Sequence, residues 1–159
     1  MPLLHLVRRP RLGALRLVRE DSFDGPWGYS EEPFRCRSPE RVFRFMKPYA
    51  RREETEVLWI LALDAQRGVI RNRPLTVSRG IVCAAFAHPR EVFRLAIHVN
   101  ACSVIVVHNH PSGDPTPSED DKAITRQLAA AGNVLDLPLT DHVIVGCRQY
   151  VSFRECGLL

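Results

Sequence analysis

The sequence predicts an α/β domain in which strands and helices alternate along most of the chain. Residues 56–64 and 102–107 are apolar runs whose centres carry no charge, as is typical of strands buried on both faces of a sheet. Residues 88–97 and 121–131 instead repeat their apolar side chains at helical spacing, which predicts amphipathic helices. The order strand, hairpin, helix, strand, helix therefore favours a sheet that is covered by helices.

Length and composition limit the classes of protein that this chain can represent. A chain of 159 residues, 45% hydrophobic and 25% charged, is long enough for one domain with an ordinary core. No apolar run is long enough to span a bilayer, and the start lacks the apolar stretch and cleavage site of a signal peptide. We expect a cytoplasmic protein without a membrane partner.

The cysteines are scattered, odd in number and never arranged as a C-x-x-C pair. They are Cys36, Cys83, Cys102, Cys147 and Cys156. This usage argues for reduced thiols and against a disulfide framework or a cysteine-ligated zinc site. Cys102 and Cys147 lie in apolar strand sequence, so we expect both in the core.

Residues 1–37 are predicted to form an N-terminal extension ahead of a main domain at 38–159. Alternating apolar and basic residues at 12–18 predict an edge strand, and turn-forming residues at 21–32 predict a loop. Basic residues concentrate near the start, at Arg8, Arg9, Arg11, Arg16 and Arg19. With a net charge of only +4, such a run is more typical of a solvated face than of a DNA-binding surface.

The first half of the main domain contains a capped helix and a hairpin. Ser38 and Pro39 have the form of an N-cap and a first helical residue, and helical spacing continues to about residue 50. A turn at 66–68 follows the strand at 56–64. The alternating pattern at 69–77 predicts the hairpin partner of that strand, which ends at Arg79-Gly80.

The second half contains two helices and three strands. His88 precedes a proline at the entrance of the helix at 88–97, and we expect it to be structural. The strand at 102–107 leads into the second helix, which ends near Gly132 or one turn later. Residues 141–146 predict a further strand, and residues 149–153 predict the strand that closes the sheet.

Turn and capping residues mark the start of the second helix. Residues 111–114 break the preceding strand. Thr116 is predicted to cap the helix, with Pro117 at the first helical position and Glu119 completing a capping box.

The same junction brings together two imidazoles, a hydroxyl and a carboxylate. His108 and His110 project to one side of the strand end, because alternate residues of a strand share a face. Ser118 and Asp121 lie three residues apart and share a face of the helix.

Two histidines and one aspartate are a ligand set that suits zinc. His108, His110 and Asp121 would leave a fourth position for water, which is the catalytic rather than the structural pattern. Iron or manganese can use the same donors. The alternatives are a hydrogen-bonded turn with incidental histidines, and Asp114 as a substitute for one ligand.

The pattern His108-x-His110, seven residues, Ser118, two residues, Asp121 resembles the JAMM (MPN-plus) metal motif. The wider sequence resembles the RadC family over residues 38–159, through the residues from His88 to Phe93, from Val107 to Ser118 and from Asp141 to Val145. The resemblance implies a three-layer α-β-α fold with a mixed sheet, of the cytidine-deaminase-like (JAB/MPN) type. It also implies a zinc site and a metallopeptidase-type mechanism.

The resemblance assigns roles to two further residues. Glu56, at the start of the strand after the first helix, matches the general base that passes a proton to the leaving amine. Glu54 is a rival because the spacing to the histidines is not fixed, and Glu91 is a weaker one. Ser118 would donate to the oxyanion, or satisfy backbone groups at the helix start, and both roles can hold together.

The pair Asp141 and His142 has two interpretations that the sequence does not separate. The pair can support a metal ligand from behind, or it can form an unrelated buried hydrogen bond.

Two classes of function remain in view. The first is a zinc-dependent hydrolase of a peptide, isopeptide or other amide. The second is a non-catalytic, metal-stabilised module that binds DNA or a protein partner in repair or replication. The complete motif favours the enzyme. An exposed edge strand would allow a homodimer.

Overall fold

The computed structural model describes residues 6–7, 16–17, 33–80 and 88–159, within two compact units, Met1–Ser30 and Glu31–Leu159. In the first unit, β1 (Leu6–Val7) pairs antiparallel with β2 (Arg16–Leu17). The strand expected at 12–18 is therefore a short one, in a sheet of two strands. The loop expected at 21–32 and Cys83 lie outside the described residues.

The second unit is built on a five-stranded sheet. Its strands are β3 (Val57–Leu63), β4 (Leu75–Arg79), β5 (Ser103–Asn109), β6 (Leu139–Val145) and β7 (Tyr150–Ser152), and their order across the sheet is β4-β3-β5-β6-β7. β5 and β6 run parallel, and the other neighbouring strands are antiparallel. The sheet is mixed, as predicted.

In the described part of the chain, the two faces of this sheet are covered by the helices α1 (Pro39–Ala50), α2 (Pro89–His98) and α3 (Glu119–Val134). Alternate side chains of β3 point to opposite faces. Trp59 and Leu61 pack in one core with α1, whereas Leu58 and Ile60 pack in the other with α2 and α3. The predicted three-layer α-β-α architecture is confirmed.

The predicted helix starts at Ser38 and His88 are confirmed. Ser38 is the N-cap of α1, and its hydroxyl accepts from the Arg41 N–H. His88 is the N-cap of α2, and its ring Nδ1 accepts from the Arg90 N–H at 3.1 Å. His88 is thus structural, as expected.

The hairpin partner of β3 is shorter than the alternating pattern at 69–77 predicts. Residues Ile70–Asn72 form a short 3-10 helix, and only Leu75–Arg79 form a strand. Arg71 and Asn72 have φ values of 63° and 51°, a left-handed conformation that no strand accommodates. The alternation of side chains was therefore a misleading signal in the first half of this segment.

The predicted cap of α3 is wrong by two residues. Ser118, not Thr116, is the N-cap, and Asp121 rather than Glu119 completes the capping box. The Thr116 hydroxyl instead donates to Asp114 Oδ1 at 2.7 Å, which fixes the preceding turn. Thr and Ser are both good caps, so the sequence alone favoured the first of them.

Two cysteines that the sequence predicted to lie in the core are not there. Cys102 and Cys147 are exposed, because the first precedes β5 and the second lies in the turn after β6. Cys36 is buried, with only 5% of its surface exposed. Among the described residues, no helix combines the length and the apolar character needed to cross a membrane.

Candidate metal centre

Three secondary-structure ends meet at the candidate metal centre. Glu56 immediately precedes β3, His108 lies near the end of β5, and Asp121 is in the first turn of α3. β3 and β5 are antiparallel neighbours with Leu58 opposite His108. The start of one strand therefore lies beside the end of the other.

Glu56, His108, His110 and Asp121 offer ligand atoms that all lie within 4.8 Å of one another. The two histidine Nε2 atoms are 2.9 Å apart, and Asp121 Oδ1 is 3.2 Å from His108 Nε2. Glu56 Oε1 lies 3.6 Å from His108 Nε2 and 3.8 Å from His110 Nε2. Two imidazole nitrogens and a carboxylate oxygen at this spacing are the donors that zinc prefers, so the residues present fit such an ion.

The two rival glutamates lie elsewhere. Glu91 is bound by Arg90 and Arg94 on the exposed surface of α2. Glu54 is exposed and is not a member of the cluster. Glu56 is thus the glutamate that the fold brings to the histidines.

His110 is held by the turn that follows it. Its Nδ1 lies 2.7 Å from the backbone carbonyl oxygen of Asp114. Since a carbonyl only accepts, Nδ1 carries the proton and Nε2 keeps its lone pair for the centre. The Asp114 carboxylate accepts from the N–H and hydroxyl of Thr116, so it has a turn role and lies outside the cluster.

Ser118 fixes the orientation of Asp121. Asp121 Oδ2 accepts from the Ser118 backbone N–H at 2.8 Å and from its hydroxyl at 2.6 Å. In return, the Ser118 hydroxyl accepts from the Asp121 N–H. This capping box leaves Oδ1 directed at His108, which is an arrangement suited to a monodentate ligand.

The local charges favour an ionised Asp121 beside a less acidic Glu56. Burial acts to raise the pKa of Asp121, but its contacts with His108, His110 and Ser118 outweigh burial and hold the pKa far below its usual range. Burial raises the pKa of Glu56, against the opposing attraction of the two histidines. The nearby Asp121 carboxylate favours the protonated ring of His110 and is the main cause that raises its pKa.

Comparison with known proteins identifies the family to which this chain belongs. The family model described as "RadC-like JAB domain" matches residues 36–158. The chain belongs to the RadC-like JAB domain family. A UPF0758 protein of Thermotoga maritima is 48% identical over 128 residues, which cover 77% of this chain and 57% of the relative.

Other relatives of the RadC-like JAB domain agree with this match. A UPF0758 protein of Symbiobacterium thermophilum is 46% identical over 122 residues, covering 77% of this chain and 51% of the relative. One from Methanosarcina mazei is 39% identical over 132 residues, covering 82% and 57%. The chain spans about half the length of these curated relatives.

Within the RadC-like domain, Asn109 is a site residue that the sequence analysis missed. Its Oδ1 accepts from the Val57 N–H at 2.8 Å, and its Nδ2 donates to the Thr55 carbonyl at 3.0 Å. These are the backbone groups on either side of Glu56. An amide at the end of an otherwise apolar strand is the signal that could have pointed to it, because a buried amide needs partners.

The structure separates the roles of Asp141 and His142. Asp141 accepts from Ser152 Oγ and from the backbone N–H groups of His142 and Arg154, so it belongs to a buried hydrogen-bond network. His142 Nε2 lies 2.9 Å from His108 Nδ1, on the side of the ring away from the cluster. Burial lowers the pKa of His142 well below its ordinary value, so this ring is neutral.

Proposed function

We propose that this domain is a metal-dependent hydrolase of amide bonds in peptides or isopeptides, with zinc as the metal. The observation that carries the proposal is the convergence of Glu56 on His108, His110 and Asp121, with side-chain atoms within 4.8 Å. Histidine and carboxylate ligands beside a partly buried glutamate are the parts that metal-assisted hydrolysis needs.

In this proposal His108, His110 and Asp121 hold the metal. The Asp114 carbonyl binds Nδ1 of His110 and leaves Nε2 available to the metal. Ser118 binds Oδ2 of Asp121 and leaves Oδ1 available. A bound divalent ion would supply Lewis-acid activation of water and of the substrate carbonyl.

Glu56 acts as the general base and then as the general acid. Its carboxylate takes a proton from the attacking water as the carbon–oxygen bond forms. It returns that proton to the amine nitrogen as the carbon–nitrogen bond breaks. Its pKa, raised by burial, moves towards the range in which a carboxylate both accepts and donates at neutral pH.

Ser118 orients Asp121 and also stabilises the oxyanion, and it can perform these two roles one after the other. In this structure its hydroxyl donates to Asp121 Oδ2, while its backbone N–H donates to the same oxygen. The proposed oxyanion role requires the hydroxyl to turn from Asp121 to the substrate. The backbone N–H would meanwhile keep Asp121 oriented.

Metal content of protein purified without added metal tests the first half of the proposal. We expect about one zinc per chain in the wild type and in Glu56→Gln, and none in His110→Ala. The same elemental analysis distinguishes zinc from iron or manganese. Absence of metal from the wild type, even after zinc is supplied, would contradict the proposal.

Cleavage of a peptide library, read by mass spectrometry, tests the second half. We expect new termini with the zinc-loaded wild type and none with zinc-loaded Glu56→Gln. A set of isopeptide-linked dipeptides extends the same comparison to branched substrates. Equal cleavage by both proteins would remove Glu56 from the mechanism.

A zinc-loaded wild type that cleaves nothing would instead support the binding-module alternative. Salt-dependent binding of duplex DNA by His108→Ala and His110→Ala would then place the interaction outside the metal centre.

A further inference from the structure

A buried chain of hydrogen bonds runs from α3 to the metal-facing His108. We call it the tautomer chain. It consists of the backbone carbonyl of Asp121 and the side chains of Thr125, His142 and His108. Thr125 Oγ1 lies 2.5 Å from the carbonyl oxygen and 2.6 Å from His142 Nδ1. His142 Nε2 then lies 2.9 Å from His108 Nδ1.

The direction of every bond in the tautomer chain follows from its first member. Two oxygens 2.5 Å apart need a proton between them, and a carbonyl has none to give. The Thr125 hydroxyl therefore donates to Asp121. Its oxygen then accepts from His142 Nδ1–H, which leaves His142 Nε2 as an acceptor.

His108 must complete the tautomer chain as a donor. Its Nδ1–H points at His142 Nε2, so the neutral ring has its lone pair on Nε2, which faces the centre. His110 Nε2 is 2.9 Å away and is also bare, because its Nδ1 donates to the Asp114 carbonyl. Two ring nitrogens that turn their lone pairs towards one point are the arrangement that a shared metal ion needs.

We infer that Thr125 and His142 are positioning residues that hold His108 in its metal-binding tautomer. This inference rests on the metal site of the proposed function. His108, Thr125 and His142 have no exposed surface, so water offers no substitute partner. His142 also stacks on the buried Phe153 with ring centroids 4.6 Å apart, and this contact helps to fix the plane of its ring.

The tautomer chain also ties two ligands to one helix residue. The Asp121 carboxylate faces His108 Nε2, and the Asp121 carbonyl ends the chain that sets the proton on His108 Nδ1. A displacement of the first turn of α3 would therefore disturb both ligands together.

Long-range ¹H–¹⁵N correlation spectra of the metal-free protein test the tautomer directly. We expect His108 to be protonated at Nδ1 alone, and His142 to show the same pattern. In Thr125→Val the two rings should lose this single pattern, whereas Thr125→Ser should keep it. Protonation of His108 at Nε2 in the wild type would overturn the inference.

Zinc affinity, measured by competition with a chelating dye, tests the consequence. Loss of an outer hydrogen-bond partner of a ligand weakens metal binding by roughly 10- to 100-fold, and we expect this loss for Thr125→Val and His142→Phe. Thr125→Ser should bind zinc as the wild type does. Ile124→Val, the neighbouring buried position, is a control for loss of stability without loss of a hydrogen bond.

The outcomes separate the two proposals. Wild-type affinity in folded Thr125→Val would overturn the positioning role while leaving the metal site intact. A wild type that binds no zinc would overturn the proposed function, and the spectra of the metal-free protein would still decide the tautomer.

Discussion

The Asn109 side chain clamps the backbone on both sides of Glu56. Its amide accepts from the N–H of Val57 and donates to the carbonyl of Thr55. Asn109 lies between the two histidines in sequence. A single strand end therefore sets both the histidine donors and the position of the acidic residue beside them.

Removal of this clamp should destabilise the domain. Asn109→Ala leaves the buried N–H of Val57 without a partner, whereas water can reach the carbonyl of the exposed Thr55, so we expect the free energy of unfolding to fall by about 1–3 kcal/mol. Metal stoichiometry should stay at the wild-type value, because none of the three proposed ligands changes. Urea unfolding of the metal-free protein measures the loss.

Asn133→Ala is the matched control, because Asn133 is exposed on α3. It should change the free energy of unfolding by less than about 0.5 kcal/mol. Similar effects of the two substitutions would show that the Asn109 amide contributes no more than a surface side chain.

Gly132 lies inside α3, where alanine normally stabilises a helix by about 1 kcal/mol. A Cβ at this position would lie 2.6 Å from the Leu137 carbonyl oxygen and 3.1 Å from the Phe93 ring. Because the closer atom is backbone, the chain after the helix must shift. We expect Gly132→Ala to destabilise the domain by roughly 1–3 kcal/mol in urea unfolding. A stabilised variant would contradict the close approach.

Cys36 should resist alkylation in the folded protein. Burial raises the pKa of its thiol to about 12, so at pH 8 roughly one thiol in ten thousand is ionised. Iodoacetamide should modify the exposed Cys102 and Cys156 while Cys36 reacts only in urea. Peptide mass mapping after timed quenching reads each site separately, and equal rates at Cys36 and Cys102 would refute the prediction.

The same thiol should make stability depend on pH in alkaline solution. The ordinary pKa is 9.0 and the folded-state pKa is about 12, so the unfolded chain ionises first. The neutral thiol therefore makes its full contribution to the free energy of unfolding below pH 9, and this contribution is lost as the pH rises towards 12. We expect the stability difference between wild type and Cys36→Ala to shrink between pH 8 and pH 10.5. A constant difference in urea unfolding would contradict this.

Local patterns were sufficient to predict the central strands of the sheet and the helices that cover it. The apolar run that became β5 and the caps at Ser38 and His88 are signals carried within a few residues. The pattern at 69–77 failed because Arg71 adopts a left-handed conformation, which an alternating apolar pattern does not reveal.

The residues of the candidate metal cluster were predictable from spacing, but their supporting contacts were not. His108, His110 and Asp121 lie close together in sequence, and the fold brings all three together. Thr125 meets His142 only through tertiary packing, and Asn109 meets the start of β3 only through strand register. A single sequence contains no record of such register.

The Ser118 hydroxyl should affect both the stability of α3, as its cap, and metal binding, through its hydrogen bond to Asp121. Ser118→Ala removes a cap, at about 1 kcal/mol of stability, and removes the hydroxyl that holds Asp121 Oδ2. We expect zinc affinity to fall by roughly 10-fold, because the ligand loses a hydrogen bond that orients it. Ser118→Thr keeps the hydroxyl and should keep most of the affinity.

Ser38→Ala supplies the matched control for this prediction. It removes the same hydroxyl from the N-cap of α1, whose only role in the described structure is to accept from the Arg41 N–H. Both substitutions should lower the free energy of unfolding by a similar amount, while only Ser118→Ala weakens zinc binding. Equal zinc affinity in the two variants would show that Asp121 is oriented without the Ser118 hydroxyl, since its backbone N–H donates to the same oxygen.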